Sequence, residues 1–335
     1  MRRPRKRRRV YRFRLGRRKR LWRGLFVLCA AVLAASLWQV GRYAIQYART
    51  VRLSAELRET YLSADEASPE LTAPPRSMAA EEFSAAVTGI PGTPWTQESL
   101  PAVTPDAAAE TVNPLDTPQP QTYPRNPYRL ISERFRKLQR QNKDIIGWLS
   151  IDGLLSEAVV QRDNTYYLRR DYRGYHNDNG AIFLDEACNL QTRPYTLTLY
   201  AHNMKSGAMF GSLRNYEHIG FYRKNPFVDF DTIYEDGRYV IFSVAAVSID
   251  VQSPRYSGFY RLNACTNLER EAIIQRLCSL SEHTCMVDVR GDDQLLLLVT
   301  CIGDSDERRI VAARRIREGE TEEGLYRSIQ SSQSR

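Results

Sequence analysis

Three residues in this 335-residue chain have the types and settings that acyl transfer requires. Cys301 closes the apolar run Leu295-Leu296-Leu297-Leu298-Val299-Thr300, and eight residues later Arg309 opens a second strand-like run, Arg309-Ile310-Val311-Ala312-Ala313. Far upstream, Thr196-Leu197-Thr198-Leu199-Tyr200-Ala201 delivers His202, followed by Asn203-Met204. In such a set the thiol is the nucleophile and the imidazole moves the proton. The guanidinium offsets charge on the tetrahedral oxygen. Asn203, Met204 and Thr300 flank the set and are read as substrate-binding. His176, His218 and His283 lack comparable surroundings and read as ordinary loop residues. The chain has neither a closely spaced Cys/His set for a metal nor a Gly-rich Lys-Ser/Thr loop for phosphate, so the reading calls for no metal and no cofactor.

Each of the three sits at the end of an apolar run, so the elements that position them are strands. Short apolar runs recur between Gly/Asn/Asp clusters: Ile145–Ile151, Ala158–Gln161, Gly180–Leu184, Thr196–Ala201, Val228–Ile233, Tyr239–Val247, Gln294–Thr300 and Arg309–Ile316. That rhythm predicts a mainly β domain, a barrel or a sandwich. Two segments have helical spacing instead. Tyr128–Asn142 aligns Leu130, Ile131, Phe135 and Leu138, and Asn267–Leu280 aligns Ile273, Ile274 and Leu277 just before the cysteine strand.

The formal charge of +9 is local. Residues 2–23 hold fourteen Lys/Arg and no Asp/Glu, which leaves 34 basic against 39 acidic residues elsewhere. Directly after the block, Gly24–Gly41 runs 18 residues without a charge, close to the ~20 needed to cross a bilayer. Trp22 and Trp38 lie near its ends, where interfacial indoles are favoured. The positive-inside rule predicts a single-pass anchor in the cell membrane, with a cytoplasmic N-terminus and an extracellular catalytic domain. A cleaved signal peptide would have a shorter apolar core and fewer arginines. A basic block directly before a span grips anionic headgroups rather than nucleic acid. Outside the cell disulfides are permitted, with Cys188, Cys265, Cys278 and Cys285 as candidates; four buried free thiols is the alternative.

The expected division is a cytoplasmic basic segment (1–23), a transmembrane helix (24–41), a juxtamembrane helix (42–62), a Pro-rich disordered spacer (63–127), a catalytic domain (128–320) and a flexible tail (321–335). Twelve of the sixteen prolines fall between Pro69 and Pro127, a composition that cannot bury enough apolar surface to offset ordering. The spacer is expected to hold the catalytic domain away from the membrane. Gln119-Pro120-Gln121-Thr122-Tyr123 within it looks like a substrate sequence of the family named next, which raises the idea of a segment that competes for the site.

From about Tyr128 to Arg317 the chain resembles a class B sortase, a membrane-anchored cysteine transpeptidase of Gram-positive bacteria. Six blocks carry the likeness in order. They are Asn142-Lys143-Asp144-Ile145-Ile146-Gly147-Trp148-Leu149; Val159-Val160-Gln161 with Asp163–Leu168; Gly180-Ala181-Ile182-Phe183-Leu184-Asp185; Leu199-Tyr200-Ala201-His202-Asn203-Met204 running into Ser206–Phe210; Leu297-Leu298-Val299-Thr300-Cys301; and Arg309-Ile310-Val311. The chain departs from the family at Ala201, where glycine is usual, and at Glu157-Ala158, where Tyr-Pro is common. Arg308 beside Arg309 leaves the arginine open to a shift of one, although Arg309 directly precedes the β-branched pair.

The resemblance implies a sortase-type β-barrel of about eight strands, with N-terminal helices and an inserted helix before the cysteine strand. It also implies a two-step reaction. Cys301 cleaves a C-terminal sorting signal after its threonine, and the thioacyl enzyme passes the protein to a peptidoglycan precursor amine. Partners would be sorting-signal-bearing surface proteins and that amine. Alternatives are a pilin-polymerising sortase with a Lys acceptor, a membrane-tethered cysteine endopeptidase, and a non-enzymatic surface module.

Overall fold

All eight predicted strands form: β1 (Ile145–Ile151), β2 (Leu155–Val160), β3 (Ile182–Leu184), β4 (Thr196–Tyr200), β5 (Phe227–Thr232), β6 (Arg238–Ser248), β7 (Leu295–Cys301) and β8 (Glu307–Arg315). The structure is a computed structural model and describes residues 8–65, 122–303 and 306–335. The strands close into a barrel in the order β1-β2-β3-β4-β7-β8-β6-β5, with β5 returning to β1. β2–β3 and β4–β7 are parallel and the other pairs antiparallel. Closure leaves no sheet edge to aggregate. β7 is buried along its length until Cys301, because it lies between β4 and β8 and is apolar on both faces.

The helices are α1 (Arg8–Asp65), α2 (Glu133–Gln139), α3 (Ile219–Lys224), α4 (Asn267–Ser279) and α5 (Glu322–Gln330). α4 starts at a capping box, in which Thr266 and Glu269 satisfy each other's backbone N–H groups, and buries Ile273, Ile274 and Leu277. α2 is shorter than its apolar spacing suggests. Asn126 accepts from the Leu130 N–H and donates to the Leu130 carbonyl, and Arg129 takes a positive φ of 53°. That local knot keeps residues 128–132 out of the helix and leaves Leu130 exposed.

α1 joins two expected elements into one. Its apolar stretch is exposed and, among the described residues, is the one helical segment long and apolar enough to cross a bilayer. The same helix continues onto the barrel, where Leu53, Leu57 and Tyr61 are buried. Tyr61 stacks on Trp148 at 4.5 Å and donates its hydroxyl hydrogen to Asp231. The apolar run and the barrel are therefore linked by continuous helix, and the Pro-rich segment does not lie between them. Most of that segment, residues 66–121, lies outside the described residues.

The described ends of the 63–127 segment belong to the folded body. α1 runs to Asp65, and Tyr123 is buried with its hydroxyl donating to the Leu190 carbonyl at 2.6 Å. Leu190 precedes β4, so Tyr123 sits at the barrel end opposite the one where β4 and β7 finish. Of the 119–123 string only Thr122 and Tyr123 are described, and Tyr123 is held far from the candidate site. The expected flexible tail is also ordered: α5 buries Leu325 and Ile329, and the Arg335 N–H donates to the Glu282 carbonyl. All six cysteines are free thiols; Cys188, Cys265 and Cys278 are buried, and Cys278 and Cys285 lie with sulfurs 3.1 Å apart.

Candidate active site

β4 and β7 run side by side in the same direction, with Tyr200 level with Val299. Two residues further on, that register brings His202 level with Cys301. Three hydrogen bonds fix the strand ends together. The Ala201 N–H donates to Val299, the Thr300 hydroxyl donates to the Ala201 carbonyl at 2.7 Å, and the Asn203 amide donates to the Cys301 carbonyl at 2.9 Å. Neighbouring strands lie about 4.8 Å apart, so the thiol and the imidazole leave adjacent backbones. Cys301 is exposed and His202 half-buried.

The His202 ring is oriented from outside its own strand. Its Nε2 lies 2.7 Å from the Leu168 carbonyl oxygen. A carbonyl can only accept, so Nε2 carries the hydrogen and Nδ1 is the nitrogen left for proton exchange. The loop that brings Leu168 here passes under Gly180, whose φ is +64°. A Cβ at Gly180 would stand 2.7 Å from the carbonyl oxygens of Tyr167 and Leu168. Glycine is required there by close approach as well as by backbone conformation.

β8 brings two arginines to this end. Cys301 is paired with Arg308, and Thr300 with Arg309. Side chains directly opposite in an antiparallel pair share a face, so Arg308 shares the Cys301 face and Arg309 the Thr300 face. Arg309 is 7% exposed and forms an ion pair with Glu217, while its Nε is buried without an acceptor. Burial and the nearby positive charge of Arg214 pull the Arg309 guanidinium below its usual pKa. Arg308 is half-buried and donates to the adjacent Glu307 carbonyl.

The other sequence-predicted positions make contacts within the fold. Thr300 is 2% exposed with its hydroxyl engaged, so it clamps β7 to the His202 segment. Asn203 ties the same two segments together. Met204 packs partly against the core, and its carbonyl accepts from Arg214 at 3.0 Å. Arg214 also donates to the carbonyls of Lys205 and Gly211, pinning the loop after His202. His283 is a buried core residue with Nε2 on the Tyr216 carbonyl, while His176 and His218 are exposed, as expected.

Sequence reasoning missed Leu168, Arg214 and Glu217. Leu168 acts through its backbone, which no side-chain pattern betrays. Arg214 and Glu217 lie on a 3-10 turn, Phe210–Glu217, whose mixed polarity carries no chemical motif. Among the described residues no group of His, Cys, Asp and Glu is arranged to hold a metal ion.

Comparison with known proteins supplies the relatives. No family model matches the chain. Sortase B of Listeria monocytogenes is 29% identical over 183 residues, covering 52% of this chain and 70% of that protein. Sortase B of Staphylococcus aureus is 26% identical over 192 residues, covering 56% and 76%. Among solved structures, a Bacillus anthracis protein described as similar to sortase B superposes with a TM-score of 0.50 at 28% identity, covering 56% of this chain and 84% of its own. A Staphylococcus aureus sortase B–substrate complex gives 0.51 at 25% identity, covering 57% and 88%.

Proposed function

We infer that this chain is a class B sortase, a reading its barrel and its similarity to sortase B proteins support, and that it anchors surface proteins to the cell wall by cysteine transpeptidation. The observation that carries the reading is the joint held by Thr300 and Asn203, which sets Cys301 and His202 on adjacent parallel strand ends. The thiolate of Cys301 attacks the carbonyl of the threonine in a C-terminal sorting signal. As the tetrahedral intermediate collapses, His202 gives a proton to the departing amine, leaving a thioacyl enzyme. The amine of a peptidoglycan precursor then attacks that thioester. His202 takes its proton, and Cys301 is released as the new amide forms.

Arg309 is the assigned oxyanion partner. Its guanidinium is held by Glu217 before substrate arrives, and a preorganised donor is the kind that lowers a barrier. The apolar run of α1 supports a membrane anchor, with the basic N-terminal block inside and the barrel outside.

The test uses the full chain in lipid nanodiscs with a panel of sorting-signal peptides, with and without amine acceptors. Mass spectrometry should find a thioacyl adduct on Cys301 and ligated product, both lost in Cys301→Ala. Turnover that survives in Cys301→Ala would end the reading. Release of free acid despite added amine would mark an endopeptidase, and preference for a protein lysine would mark pilin polymerisation.

A further inference from the structure

The loop that orients His202 is also the part of the barrel that first meets α1. Just past the apolar run, Arg42 pairs with Asp178 at 3.6 Å and Gln46 donates to the same carboxylate at 2.9 Å. One turn further, the Thr50 hydroxyl accepts from Asn177 and Asn179, and Arg49 pairs with the buried Asp171. α1 then climbs the barrel and reaches Trp148 and Asp231 near its far end. The catalytic end is thus the end nearest the apolar run.

Height follows from helix geometry. Gln46 is five residues past Gly41, which at 1.5 Å per residue puts Asp178 about 8 Å above the apolar run. The headgroup layer of each leaflet is roughly 5–8 Å thick. The Asp178 end of the 165–180 loop therefore stands at the level of the lipid headgroups if α1 spans a bilayer, and the inference rests on that part of the proposed function. The loop's Arg173 tip, held by Glu56, lies higher along the helix.

The chemistry of the loop's outer side matches that position. Asp171 and Asp178 turn toward α1 and its arginines. Arg169 and Arg170 are exposed and Tyr175 is 62% exposed, whereas Arg173 turns to Glu56 of α1 at 2.7 Å. Cations beside an amphipathic ring are what an anionic bilayer surface favours. We propose that Arg169, Arg170 and Tyr175 of the 165–180 loop rest on anionic phospholipid headgroups, so that the catalytic end of the barrel faces the membrane. A substrate still embedded in the bilayer would then meet Cys301 and His202 without rising far from the lipid. Continuity with the span selects a membrane over a soluble acidic partner.

Hydrogen exchange on the full chain tests this in three settings: detergent, phosphatidylcholine nanodiscs and phosphatidylglycerol nanodiscs. Amides of 168–178 should exchange about ten-fold more slowly in phosphatidylglycerol than in the other two, whereas β7 amides should not change. The difference should vanish in Arg169→Gln/Arg170→Gln/Tyr175→Ser, with unchanged β7 protection reporting an intact fold. Equal exchange in all three settings, or equal protection in both lipids, overturns the proposal. Protection of 24–41 in nanodiscs reports separately on the span: if it is absent the anchor reading fails, and if it is present while 168–178 stays open only the headgroup contact fails.

Discussion

Arg308, not Arg309, stands directly across the strand pair from Cys301. The motif selects Arg309 and the register offers Arg308, and the two differ in burial. Arg309 is buried, tied to Glu217 and flanked by Arg214, whereas Arg308 is half-buried against its own neighbour's carbonyl. A buried, preorganised donor stabilises a developing oxyanion better than one more open to water.

The expected result is a kcat loss of about 100-fold for Arg309→Gln and less than about ten-fold for Arg308→Gln, the scale of removing one oxyanion donor. Steady-state kinetics on a sorting-signal peptide measures both. The reverse order would transfer the role to Arg308.

Gly180→Ala should impair catalysis without touching a catalytic residue. The new methyl meets the Leu168 carbonyl that holds His202, and alanine at positive φ costs about 1–2 kcal/mol in addition. A shift of about 1 Å in a positioned group can cost on the order of 100-fold in rate. We expect kcat to fall while the thermal midpoint drops only modestly. A large loss of stability with unchanged kcat in the folded fraction would show that Leu168 does not set the ring.

Much of this was legible in the chain. The eight strands were, because each is an apolar run bounded by turn residues, and so was α4, with its cap and its apolar stripe. The positions of Cys301 and His202 followed from strand ends alone. Other features depend on partners remote in sequence. The tail reads as polar because α5 needs only Leu325 and Ile329, one turn apart, to dock. The bond from Leu168 to His202 joins residues 34 apart through a main-chain atom. The pairing of Arg309 with Glu217 appears only once the 3-10 turn is folded against β8.

Glu157 gives the docking of α1 a pH dependence. It faces Ser54 at the seam between β2 and α1. Burial raises its carboxyl to about 7, with the Ser54 hydrogen bond opposing. A carboxyl raised in the folded state binds its proton more tightly there than in the unfolded chain. Stability is therefore greatest below the unfolded value near 4.5 and falls as pH rises toward and through 7. Allowing for partial exposure, the loss between pH 5 and pH 8 is about 2 kcal/mol. Glu157→Gln should flatten that slope and raise the thermal midpoint at pH 8, which calorimetry at the two pH values would check.

A fragment that begins at residue 125 should be markedly less stable than one that begins at 42. The shorter piece loses Leu53, Leu57, Tyr61 and Tyr123, all buried. At about 1.5–3 kcal/mol per buried large side chain, the deficit is several kcal/mol. Urea unfolding of the two fragments would measure it, and equal midpoints would show that α1 contributes nothing to the barrel.

Because α1 is one unbroken helix from the apolar run to Tyr61, the barrel is mounted on its anchor as on a screw. One residue inserted between Gly41 and Arg42 would turn the whole catalytic end by about 100° and lift it about 1.5 Å. Four residues would carry it about 40° past a full revolution, and seven to about 20° short of two, at about 6 and 10 Å greater height. Activity on a membrane-bound substrate should then rise and fall with helical phase rather than with linker length, as only a rigid shaft allows.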